Sequence, residues 1–128
     1  NIISGGTVYP NMMKRHLDEE IPFMATENIL MYCVKKGGDR QELHEAIRRH
    51  SVATTKMIKL SGEKNDLFDR ILSDPIFGLT ADELASLSDP KLFTGCAPKQ
   101  TSDFLRDCVK PILDENRQEL GIEVSINV

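Results

Sequence analysis

No stretch of this sequence stays apolar for the roughly 18 to 20 residues that a bilayer crossing requires, and the N-terminus has neither the basic nor the apolar region of a signal peptide. No run of Lys or Arg is longer than two residues. With 16 basic against 20 acidic residues and a net charge of −4, nothing advertises a surface for nucleic acid or for an anionic membrane. The three cysteines, Cys33, Cys96 and Cys108, are odd in number and widely spaced, without the Cys-x-x-Cys pair of zinc or redox sites. Reduced thiols in a cytoplasmic protein fit best. Gly-x-Ser-x-Gly elbows, internal repeats and low-complexity segments are missing as well. The expectation is a soluble, cytoplasmic chain with no nucleic-acid or membrane partner and no metal or other cofactor.

What is present reads as helix. The 128 residues are 40% hydrophobic, enough for one packed core. Gly5 and Gly6 break any incoming helix and Pro10 opens a new one, expected to run to about Glu20 and to be interrupted by Pro22. From Ala25 to Lys36, Ile29, Leu30, Cys33 and Val34 fall at helical spacing, with Met24 and Met31 available to fill gaps, and Gly37-Gly38 stops the helix. Asp39 and Glu42 nearly match a capping box. The helix behind them should last about twenty residues, to near Leu60, with Gly62 beyond it. Its apolar stripe is Leu43, Ala46, Ile47, Val52, Thr54, Met57 and Ile58, and Glu45 and Arg49 are spaced for an ion pair.

Shorter helices follow. Asn65 or Asp66 caps one through Leu72, with Asp66 and Arg70 paired, and Asp74-Pro75 ends it. Thr80 and Glu83 form a second capping box before Leu84 and Leu87, and Asp89-Pro90 starts a further turn. After the Thr94 to Pro98 loop, a last helix carries Phe104, Leu105, Cys108, Val109, Ile112 and Leu113 on one face, with Pro111 expected to kink or split it. Past Gly121 the residues alternate strictly through Val128, the pattern of a short extended segment. The fold class is all-α, a compact multi-helix domain, and the Asn1 start suggests a segment of a longer protein.

Catalytic signals are scarce. His44 and His50 are six apart on one helix and His16 is on another, so no pair has metal-ligand spacing, and surface or packing roles explain them. The Asp18-Glu19-Glu20 carboxylates would fan around a helix end instead of converging on a cation. Gly37-Gly38 precedes a helix N-terminus but lacks the Lys and Ser/Thr of a phosphate loop. Arg40, in the first turn of that helix, opposes the macrodipole, and either meets a carboxylate or carbonyl from another segment, domain or subunit or stays solvated.

Whole segments nevertheless match a family pattern. Val8-Tyr9-Pro10, Pro22-Phe23-Met24-Ala25-Thr26-Glu27-Asn28-Ile29, Lys36-Gly37-Gly38-Asp39-Arg40-Gln41 and Asn65-Asp66-Leu67 resemble the C-terminal domain of adenylosuccinate lyases of the animal type. Phe93-Thr94-Gly95-Cys96-Ala97-Pro98-Lys99-Gln100 is similar to that family's Phe-Thr-Gly-Arg-Ala-Pro-Gln-Gln, with Cys96 standing where the family has arginine. The resemblance runs from Asn1 to the C-terminus.

It implies a cytoplasmic homotetramer of the fumarase and argininosuccinate lyase superfamily, acting in purine and AMP biosynthesis. Such an enzyme eliminates fumarate from adenylosuccinate, giving AMP, and from succinylaminoimidazole carboxamide ribotide. It also implies that residues 1–8 end the central helical bundle and residues 9–128 form the C-terminal helical domain. The family's serine base, its histidine acid and its Gly-Ser-Ser-x-Met-Pro-x-Lys-x-Asn signature have no match here, so no catalytic residue carries over and Ser4, Ser51 and the histidines are not assigned to those roles. Composition alone also allows a self-contained helical interaction module without catalytic activity.

Overall fold

The computed structural model describes residue 3 and residues 5–121, and among these every regular element is helical. The alternating C-terminal residues lie outside the described ones. Two compact units divide the chain: one is Pro10–Phe93, the other combines Asn1–Tyr9 with Thr94–Val128.

In the first unit, α1 (Pro10–Met24) and α2 (Thr26–Lys35) are almost continuous, because the Ala25 N–H bonds the Ile21 carbonyl at 2.8 Å and the Ile29 N–H bonds the Ala25 carbonyl at 3.0 Å. Pro22 does not interrupt α1 as expected. Proline costs about 3 kcal/mol in a helix interior, but here it sits two residues from the end and is itself buried, so only the bond to the carbonyl of the exposed Asp18 is lost. Met24 and Met31, expected to fill gaps, are about half exposed. Met31 is two positions, or roughly half a turn, from the buried Ile29.

The turn after α2 uses both glycines. Gly37 adopts φ +102°, and the Gly37 and Gly38 N–H groups return to the carbonyls of Val34 and Cys33, the paired bonds of a Schellman motif. At Gly38 a Cβ would lie 2.7 Å from Leu43 Cδ1, so the loop packs directly on the next helix.

That helix, α3 (Arg40–Ser61), starts where its cap requires: Asp39 Oδ1 accepts from the N–H groups of Gln41 at 2.8 Å and Glu42 at 2.9 Å. Glu42 does not return a bond to Asp39 among the described residues, so half of the expected box is made. Gly62 closes the helix in the left-handed conformation. Leu43, Ala46, Ile47 and Thr54 are buried, whereas Val52, five positions beyond Ile47, falls off that face and is exposed. Glu45 pairs with Arg48, not Arg49. The Arg48 guanidinium takes both carboxylate oxygens, at 2.6 and 2.8 Å, and Arg49 approaches Asp74 at 3.9 Å.

α4 (Leu67–Ser73) and α5 (Ala81–Leu87) complete the unit with a one-turn 3₁₀ segment, Pro90–Phe93. Asp66 is the N-cap residue of α4 but its side chain makes no cap bond; Asn65, just before it, accepts the Leu67 N–H at 3.0 Å, and Asp66 pairs with Arg70 at 2.8 Å as its spacing predicts. Thr80 and Glu83 make the full capping box. The core joins Ile29, Leu43, Leu67, Ile71, Phe77 and Leu84, drawn from four helices and the α4–α5 loop. Each such side chain contributes about 1.5–3 kcal/mol on burial.

The second unit carries α6 (Ala97–Phe104) and α7 (Lys110–Glu115), joined by a π-helical turn over Leu105–Val109. Pro111 accounts for the turn. It has no N–H for the Asp107 carbonyl and its ring would collide with it, so the ladder widens and the Lys110 N–H bonds the Leu105 carbonyl. The expected apolar face is there but uncovered: Phe104, Leu105, Cys108, Ile112 and Leu113 are all exposed, and no described residue of this unit is buried.

Candidate functional site

The densest polar cluster ties α2 to α5. Glu83 Oε1 accepts from the Tyr32 hydroxyl at 2.7 Å and from Lys36 Nζ at 3.1 Å, while Oε2 accepts the Thr80 N–H at 2.9 Å. Lys36 also donates to the Gly78 carbonyl at 3.2 Å and lies 5.4 Å from the Tyr32 ring centre. These donors, the Thr80 N–H first and then Tyr32 and Lys36, hold the Glu83 carboxyl down at about 2. The same bonds to Glu83 push Tyr32 and Lys36 up, and burial pushes the adjacent Cys33 thiol up. At neutral pH the set is therefore a carboxylate, an ammonium, a phenol and a thiol, each fixed in its resting form. No member of it is poised to exchange a proton, so the arrangement works as a clasp.

A second cluster surrounds Asp74, just past α4. His50 Nε2 lies 2.8 Å from Asp74 Oδ2, the Ile76 N–H donates to Oδ1 at 3.1 Å, and the Phe77 ring centre is 6.2 Å from that of His50. The His50 bond, then that from Ile76, hold the Asp74 carboxyl below its usual range. A histidine held by a carboxylate is half of an acid–base relay. The other half is missing, since no hydroxyl or thiol bonds His50 among the described residues. A third polar group joins the buried Thr54, whose hydroxyl donates to Asp66 Oδ1 at 2.7 Å, with the Asp66–Arg70 pair.

The other candidates stay apart. His16 and His44 are exposed. Asp18 and Glu19 are tied within α1 to Lys14 at 2.6 Å and Arg15 at 3.3 Å, so the acidic run does not converge. The α3 N-terminus cannot offer its N–H groups to a phosphate, because Asp39 already occupies those of Gln41 and Glu42. Arg40 is exposed and has no partner among the described residues. Cys96 occupies the residue before α6 without capping it, Ser51 is half-buried on α3, and Ser4 lies outside the described residues. Among those residues no three His, Cys, Asp or Glu side chains gather as a metal site, and no helix is long and apolar enough to cross a membrane.

A groove of the first unit, about 1080 Å³, opens between α1 and the end of α3, lined by Lys14, Glu19, Phe23, Ile58, Lys59 and Lys64 among others. Asn65 closes against it by donating to the Glu19 carbonyl at 2.8 Å. Its charges are of both signs, and Lys14–Asp18 and Arg15–Glu19 pair along α1, so the lining presents no single-sign set for one ligand. The sequence revealed neither the clasp nor the His50–Asp74 pair, because the side-chain bonds that make them join residues 24 to 51 apart.

Comparison with known proteins decides what the geometry leaves open. A family model described as "Adenylosuccinate lyase C-terminus" matches residues 22–104. The chain belongs to the adenylosuccinate lyase family. The adenylosuccinate lyase of Schizosaccharomyces pombe is 44% identical over 95% of the chain, that of Saccharomyces cerevisiae 42% over all of it, and that of Schistosoma mansoni 36% over all of it. The chain spans only 27% of the length of each of these adenylosuccinate lyases.

Proposed function

We propose that this chain is the C-terminal supporting domain of a cytoplasmic, homotetrameric adenylosuccinate lyase. The whole enzyme eliminates fumarate from adenylosuccinate, giving AMP, and from succinylaminoimidazole carboxamide ribotide in purine biosynthesis. The observation that carries this reading is the alignment itself: 42–44% identity along nearly the whole chain with adenylosuccinate lyases almost four times as long. On the same reading residues 1–8 end the central helical bundle and residues 9–128 form the C-terminal domain.

Elimination of fumarate needs a base to take the proton beside a carboxylate and an acid to protonate the departing nitrogen. The clasp and the Asp74 cluster offer no such pair facing a common cavity, which supports placing both groups in the remaining three-quarters of the enzyme. The domain's part is then structural: four helices around one core, fastened by the clasp, present surfaces for the rest of the polypeptide and its other subunits. Fumarate release, followed by absorbance with adenylosuccinate as substrate, tests this. The full-length protein should turn over and the 128-residue chain should not; an inactive full-length protein overturns the lyase reading.

A further inference from the structure

α1 has two unlike halves. Its C-terminal end is anchored by the buried Ile21 and Pro22, while every residue from Pro10 to Glu20 is exposed. The apolar pattern does not stop where burial stops. Met13, Leu17 and Ile21 recur four apart on one face, and their exposure falls from 56% through 40% to 6% as the helix enters the core. Met13 and Leu17, with Pro10 and Pro90, line a shallow groove of about 480 Å³. Its rim residues Lys14 and Asp18 bond each other at 2.6 Å, so the groove offers no unpaired charge for a nucleotide or a charged partner.

A stripe continuous with a core, opening onto a neutral groove, has the character of a core cut in half, as in interfaces that are permanently covered. The chain makes up 27% of its relatives' length, and the family's C-terminal match begins at residue 22, after the exposed half of α1. A segment of the same polypeptide also has the advantage of effective concentration over a free partner.

We propose that the Met13–Leu17 stripe is the seat of an amphipathic helix from the remaining part of the same polypeptide, which lays an apolar ridge into the groove beside Pro90. The inference rests on one part of the reading above, that the chain is a segment of a longer polypeptide, and not on that polypeptide's activity.

The test uses the full-length enzyme with the photo-crosslinker p-benzoylphenylalanine at position 17, and separately at position 13. Irradiation should leave the protein at monomer mass on a denaturing gel, with an internal link from the probe to a helical peptide outside these 128 residues. A covalent dimer would mean that a second copy covers the stripe. A link to a peptide within the 128 residues, or no link at either position, would mean that the stripe is covered locally or not at all. Each of these results overturns the proposal. In parallel, Leu17→Glu should lower the melting midpoint of the full-length enzyme by several degrees, and Leu60→Glu, at an exposed site near the end of α3, should not; equal midpoints also overturn it. Fumarate release by the unmodified protein reports separately on the lyase reading, so internal links in an inactive protein would sink that reading and leave the seat standing.

Discussion

Thr54→Val removes one hydroxyl from the core while keeping the β-branched shape that α3 already accommodates. Thr54 is fully buried and its hydroxyl donates to Asp66 at 2.7 Å. A hydrogen bond to a charged group contributes about 1.5–3 kcal/mol. Two features reduce the loss: Asp66 keeps Arg70 at 2.8 Å, and its side chain is 30% exposed, so water can replace the hydroxyl. The expected cost is about 1–2 kcal/mol at neutral pH. With a urea dependence of about 1–3 kcal/mol per molar, the unfolding midpoint should fall by roughly 0.3–2 M at unchanged slope.

The bond also has a pH signature. Asp66 is held below its ordinary value, first by Arg70 and then by Thr54 against the opposing effect of burial. A depressed carboxyl contributes stability that is fully present above its unfolded pKa of about 3.9 and is lost as pH falls through the folded value. Without the Thr54 hydroxyl that depression is smaller, so the gap between wild type and variant should be widest near neutrality and narrow below about pH 4. Equal urea midpoints at pH 7, or a gap that stays constant into acid, would refute the reasoning.

Asp39→Ala should cost about 0.5–2 kcal/mol, because two N–H groups of α3 lose their acceptor, and an unchanged thermal midpoint would show that the helix starts without its cap. Glu83→Gln should destabilise the domain at pH 7; since the Glu83 carboxyl is lowered to about 2, its contribution is present above the unfolded value of about 4.3 and lost toward pH 2, so thermal midpoints of variant and wild type should converge in acid. Arg40→Ala in the 128-residue chain should leave stability unchanged or slightly raised, since a cation with no partner among the described residues is removed from a helix N-terminus, and a clear fall in the midpoint would contradict that. In the full-length enzyme, a lower midpoint for Arg40→His with near-normal kcat would reveal a partner outside this chain.

Local chemistry made much of the fold legible. The Asp39 cap, Gly37-Gly38, Gly62 and the Thr80–Glu83 box each act within four residues or so, and helix boundaries follow from them. The errors arose where tertiary context overrode a local rule. Pro22 is tolerated because it lies at a buried helix end, and Arg49 leaves Glu45 because Asp74 is brought beside it by the fold. The clasp was illegible for the same reason: nothing in the spacing of Tyr32, Lys36 and Glu83 says that α2 and α5 meet. The apolar face of α6 and α7 was read correctly as apolar, but the pattern carries no information on what covers it. The family resemblance, by contrast, depended on residues in sequence and needed no structure.

The most direct measurement of the central claim is fumarate release from adenylosuccinate by two purified proteins at equal molarity, this 128-residue chain and the full-length protein that contains it. The account predicts turnover by the full-length protein alone, with the short chain at the background of the uncatalysed reaction; elimination by the short chain that persists after removal of host enzyme would place the base and the acid within these residues and contradict it.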